Sequence, residues 1–212
     1  MIVTSVAAAR AIWLFDVMDL NPQGRYIYDQ LFPWLVERYQ FAQAPSHSRD
    51  QVENAWEFMD GKFVNPADTP INVRLRIYND GLVSETQSST DDSEAFLADA
   101  LTAAVRELGL TFTGSMVHRR MYASELNLTC DKRLDAVNAG MREFLNAVSE
   151  ACGMKCEPTS LAFGGEPPSQ PAFRFERRAG MPFSQNKYWS IATVSTSVHL
   201  ALLERLEAMF TT

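Results

Sequence analysis

The stretch INVRLRIYNDGLVSETQSSTDDSEAFLADALTAAVRELG, residues 71–109, constrains the fold more tightly than any other part of this 212-residue chain. Val73, Leu75 and Ile77 alternate with Asn72, Arg74 and Arg76, a period of two that separates an apolar from a polar face of one strand. Asn79-Asp80-Gly81 supplies residues that tolerate a tight turn, so a second strand returns beside the first. A helix follows. Thr90 or Asp91 can cap it, Asp91, Asp92 and Glu94 suit the positive end of its dipole, and Gly109 ends it. Its apolar stripe runs through Phe96, Leu97, Ala100, Leu101, Ala104, Val105 and Leu108. A hairpin that feeds an amphipathic helix buries both apolar faces most economically when the helix lies on an antiparallel sheet.

The same grammar recurs, giving roughly three extended-pair-then-helix units over residues 71–210. In LTFTGSMVHRRMYASELNLTC, Tyr122, Ser124, Leu126, Leu128 and Cys130 share one strand face, and Asp131 is the predicted cap of a helix reaching about Cys152. KCEPTSLAF offers a strand, AFRFERR and KYWSIATV offer a pair, and Ser195 or Thr196 caps a last helix with Val198, Leu202, Leu206 and Met209 inward. Upstream, residues 10–20 read as a strand that stops at NPQG. Tyr28, Leu31, Leu35 and Tyr39 have helical spacing, with Pro33 either kinking that helix or opening it. Residues 42–63 are polar and broken, with a short central helix as the expectation. The predicted fold class is α+β: a mainly antiparallel sheet with about four helices packed largely on one face. It is expected to form a single domain over 1–212, and any internal boundary would fall within 42–70.

Composition limits the functions on offer. The net charge of −7 and pI near 5.0 repel polyanions at long range, which argues against nucleic acid as a partner. No uninterrupted apolar run reaches the ~18–20 residues of a membrane span, so no membrane association is expected. Cys130, Cys152 and Cys156 are too few and too odd for a disulfide framework, which fits a reducing cytoplasm. Cys152 and Cys156 lack a second pair of ligands, and the three histidines share no ligand spacing, so neither a metal nor a cofactor is expected.

The motifs of nucleotide-driven enzymes and serine hydrolases are missing. FGGEPP lacks a phosphate-loop frame, and TGSMV is not a nucleophile elbow. The catalytic candidates that survive are Asp16 and Asp19, at the end of a strand, and His118, beside Arg119-Arg120. The binding candidates are outward-facing arginines: Arg74 and Arg76 on the first hairpin, Arg120, and Arg174 and Arg178 on the hairpin of residues 171–189. In that hairpin Phe173, Phe175 and Arg177 share one face, while Arg174, Glu176 and Arg178 share the other. Were these strands neighbours, the arginines would form a basic ledge suited to a phosphate-bearing ligand. No coherent catalytic set emerges, so the expectation leans away from an enzyme. The sequence reads as a non-catalytic binding or assembly module, self-associating or bound to a protein partner. The alternative is an enzyme or sensor that takes a phosphorylated or nucleotide-like ligand in an Asp/Arg-lined pocket.

Overall fold

In a computed structural model, which describes residues 1–137, 139–165 and 172–210, the period-two and helical segments become eight strands and four α-helices, and every described strand pairing is antiparallel. The fold is α+β. In chain order the elements are β1 (Ile2–Leu14), α1 (Tyr28–Tyr39), β2 (Trp56–Val64), β3 (Pro70–Tyr78), β4 (Gly81–Thr86), α2 (Thr90–Leu108), β5 (Arg119–Thr129), α3 (Ala139–Cys152), β6 (Ser160–Phe163), β7 (Phe173–Arg177), β8 (Lys187–Ala192) and α4 (Thr196–Met209). None of these helices is long and apolar enough to cross a membrane.

The chain divides into two compact units: Ala8–Ala123, and Met1–Ala7 with the segment from Ser124 onward. The division therefore runs through β1 and through β5. Segment 42–70 lies wholly inside the unit Ala8–Ala123.

The repetition legible in the sequence resolves into two copies of one longer motif. Each copy is a long strand, a 3-10 turn, a helix, a three-stranded meander and a second helix, and the second copy has a further 3-10 turn, Phe183–Gln185, between β7 and β8. The leading strand pairs with the last strand of its own meander, β1 with β4 and β5 with β8. The registers match: Ala9 faces Thr86 and Leu14 faces Gly81, just as Ser124 faces Ala192 and Thr129 faces Lys187. Phe15 N–H donates to the Asp80 carbonyl, and at the same place Cys130 N–H donates to that of Asn186, both at 3.0 Å. This alignment offsets β4 from β8 by 106 residues (190 − 84) and makes Ser84 equivalent to Ser190, Ser89 to Ser195, Thr90 to Thr196 and Leu97 to Leu203.

In the unit Ala8–Ala123, one core gathers the inward residues of the strands (Ala11, Trp13, Phe58, Val73, Leu75, Ile77, Leu82) with Phe32, Leu35 and Tyr39 of α1 and Phe96, Leu97, Ala100 and Leu101 of α2. Both helices thus cover the same face of this meander. In the other unit Leu126, Leu128, Phe175 and Tyr188 pack with Leu203 and Leu206 of α4. No described side chain of α3 is fully buried.

Several local expectations are corrected. The first strand starts at Ile2 and ends at Leu14, because Asp16 caps a 3-10 turn over Val17–Leu20. The central helix expected within 42–63 is absent, and Trp56–Val64 is strand β2. A bulge between Phe58 and Gly61, with Asp60 at φ 56°, breaks the alternation that would have announced it. Of the two placements expected for Pro33, the structure takes the one inside α1 and not the one at its start. Ser89, not Thr90 or Asp91, caps α2 by accepting from Asp92 N–H. A 3-10 turn over Leu134–Val137 delays α3 to Ala139, well beyond Asp131. On α4, capped by Ser195, the buried stripe is Thr196, His199, Leu203 and Leu206, while Val198 and Met209 are exposed.

Candidate ligand pocket

The connection between β1 and α1 folds over the end of the first core instead of extending away from it. Asp16 Oδ1 accepts from Met18 N–H at 2.9 Å, which turns the chain into the 3-10 segment and buries Leu20. Thr111 N–H donates to the Leu20 carbonyl at 2.8 Å and fixes this turn to the segment after α2. Arg25 reaches back the same way: its Nη2 donates to the carbonyls of Gly109 at 2.9 Å and Leu108 at 3.4 Å. A cation there suits the negative end of the α2 dipole.

Between this strap, α1 and β2 lies a cavity of about 240 Å³, walled mainly by Leu20, Ile27, Tyr28, Leu31, Trp56 and Ile77. Tyr28 and Trp56 form its aromatic side, their ring centres 5.0 Å apart. Asn21 supplies the polar detail. Its Nδ2 donates to the Arg25 carbonyl at 2.6 Å, while its Oδ1 is buried and has no hydrogen-bond partner among the described residues. Arg25 and Asn79 are the other polar residues along the wall. Among its described lining residues there is no carboxylate, histidine, cysteine, lysine, serine or threonine; Tyr26 and Tyr28 supply phenol hydroxyls.

An open depression adjoins the cavity and shares Met18 and Asn79 with it. Here the structure brings two of the catalytic candidates together, since Asp16 and His118 line it with Asp80. All three are exposed, the Asp16 carboxylate is engaged by Met18 N–H, and no described hydrogen bond joins the His118 ring to a carboxylate. A general base needs an oriented partner, and none is set for His118. Asp19 lies on the exposed side of the 3-10 turn and does not line the depression. Among the described residues, no group of three or more His, Cys, Asp or Glu side chains could hold a metal ion.

The arginine candidates meet carboxylates. Arg76 Nε donates to Glu57 at 2.8 Å, a hydrogen bond that raises its pKa further. Glu85 sits between Arg74 at 3.2 Å and Arg10 at 2.6 Å. Arg120 donates to Glu94 at 2.8 Å while its guanidinium stacks over Trp13 at 4.5 Å. On β7, Arg174 lies 3.6 Å from Glu176, and Arg178 is exposed. Acidic neighbours thus take up four of the five cations that were to form a basic ledge.

Sequence reasoning missed the cavity itself. Asn21 was legible only as part of the turn signal NPQG, and Trp56 belonged to a segment whose strand was hidden by its bulge. The sequence matches no protein-family model, and no curated protein matches it.

Proposed function

We propose that this chain is a non-catalytic binding module whose ligand enters the cavity between the 17–27 strap, α1 and β2. One observation carries this reading: the described lining of the cavity is mainly aliphatic and aromatic, and it holds no carboxylate, histidine, cysteine, lysine, serine or threonine. Such a site is built for apolar contact with a few polar groups for orientation. The phosphate-binding alternative is weaker, because Arg74, Arg76, Arg120 and Arg174 already have carboxylate partners.

A role as one component of a larger assembly accompanies this reading. Phe144 on α3 is 72% exposed and Phe163 on β6 is 55% exposed, and large apolar side chains in the open favour a protein partner or a second copy. Melting curves measured against a panel of small apolar aromatics, nucleotides and phosphosugars test the binding role. Stabilisation by the aromatics alone is expected; stabilisation by nucleotides or phosphosugars alone would reverse the choice.

A further inference from the structure

We propose that β6 is the docking edge for a second copy of this chain, which adds its own β6 antiparallel about a two-fold axis, Ser160 of one copy opposite Ala162 of the other. This rests on the assembly role and names the partner and its register. β6 is an outermost strand, and β7 is its only strand neighbour among the described residues. Arg177 N–H donates to the Thr159 carbonyl at 2.8 Å, which makes residues 159 and 177 a hydrogen-bonded pair of this ladder. Alternation then turns the N–H and C=O groups of Leu161 and Phe163 towards β7, and those of Ser160 and Ala162 to the open side.

Folded proteins usually blunt such an edge. β2, the matching strand of the first repeat, is blunted. Met59 exchanges backbone hydrogen bonds with Gln43 at 2.8 and 3.3 Å, a bulge follows, and Glu57, Asp60 and Lys62 put charge along the strand. β6, Ser-Leu-Ala-Phe, has no charge, no proline and no bulge.

Charge complementarity selects a second copy and sets the register. Ser160 faces Glu176 and Ala162 faces Arg174 across the β6–β7 ladder, all on one face of the sheet. Pairing Ser160 with Ala162 of the second copy makes each row run Glu176, Ser160, Ala162, Arg174. The two charged residues then lie three strand spacings apart, about 14 Å between Cα atoms, a gap that extended Glu and Arg side chains span above the small Ser and Ala. Sliding the register either way sets Arg174 against Arg174 or Glu176 against Glu176. On the opposite face Leu161 meets its counterpart at the two-fold axis and reaches diagonally to Phe163, which is 55% exposed. An edge of 4 residues buries far less than the ~1,600 Å² of a tight complex, so the association is weak and concentration-dependent.

Sedimentation equilibrium of the full chain tests this. The mass should rise from 23.8 kDa towards twice that between micromolar and millimolar concentration. Ala162→Pro should hold it at the monomer with unchanged circular dichroism, because proline removes an outward N–H that β7 does not use. Arg174→Glu and Glu176→Arg should each weaken association about tenfold, since two rows per dimer lose their opposite charges, and the double variant should restore it. Dimerisation indifferent to Ala162→Pro and to both charge reversals would overturn the edge pairing and leave the assembly role standing. A monomer at every concentration would overturn self-association itself and leave a different protein as the partner to seek.

Discussion

Ile77 and Arg177 occupy the same register position in the two repeats, each facing the first inward residue of the following strand, Leu82 and Tyr188 respectively. Ile77 is a core aliphatic side chain that walls the cavity. Arg177 is as deeply buried but carries a charge, held by Glu157 at 2.7 Å and the Phe183 carbonyl at 3.1 Å, with its guanidinium over the rings of Phe183 and Tyr188. The same backbone position serves as cavity wall in one copy and as half of a buried ion pair in the other.

That pair sets up a stability prediction. The Arg177 and Glu157 side chains are 7% and 9% exposed, so removing Arg177 leaves the buried Glu157 carboxylate with only the exposed Lys155 ammonium, 3.4 Å away, as counter-charge. Arg177→Met should cost about 3–5 kcal/mol in denaturant unfolding. The double variant Arg177→Met with Glu157→Met should recover most of it. A double variant as unstable as the single one would show that the loss comes from packing alone.

His199 predicts an acid-sensitive step. It is fully buried, its Nε2 lies 2.8 Å from the Ser190 hydroxyl, and burial pushes its pKa down to about 4, only partly opposed by the Ser124 backbone. The unfolded chain takes up this proton near pH 6.5 and the folded chain only near 4, so folding is favoured by the neutral ring. That contribution is complete above pH 6.5 and falls as pH drops towards 4, by about 3 kcal/mol in all. Unfolding free energies between pH 7 and 4.5 should decline more steeply for the unmodified protein than for His199→Gln. Parallel slopes would contradict the assignment.

Gly61 is the tight point of the β2 bulge. The Phe41 ring lies against its Cα, where a methyl group would overlap the ring carbons. Gly61→Ala should therefore cost about 1–3 kcal/mol, and adding Phe41→Leu should restore part of the loss. Thermal unfolding of Gly61→Ala, of Phe41→Leu and of the double variant separates this relief from the cost of shrinking the core residue Phe41. Strict additivity would mean that the ring is not what excludes the methyl group.

The charged face of the first meander should be nearly neutral in energy. Arg74 and Arg76 are about one-third exposed and pair with Glu85 and Glu57. Solvent screens such pairs, so Arg74→Ala and Arg76→Ala should each shift stability by less than about 1 kcal/mol. Neither substitution should alter binding of a small aromatic such as indole, since neither side chain walls the cavity.

The fold was legible wherever one periodicity ran undisturbed. Val73, Leu75 and Ile77 announced β3, and Ser195 ahead of an apolar stripe announced α4. Legibility failed where one residue interrupts a period, as at the Asp60–Gly61 bulge, or where a buried polar residue occupies a core position, as His199 does on α4. The repetition was legible only as roughly three short units, not two long copies, because the copies keep register and caps but exchange side-chain chemistry, Ser93 for His199 and Ile77 for Arg177. The cavity was illegible for a different reason. Its walls come from a strap, a helix and two strands, and only the folded chain brings Asn21, Leu31, Trp56 and Ile77 together.

The most direct test is amide-shift mapping of the full chain by two-dimensional nuclear magnetic resonance during titration with indole and, separately, with a nucleotide. Saturable indole shifts confined to Leu20, Asn21, Ile27, Leu31, Trp56 and Ile77, with no response to the nucleotide, are the predicted result. Nucleotide shifts centred on Arg74, Arg76 and Arg120, with the cavity residues silent to indole, would contradict the account.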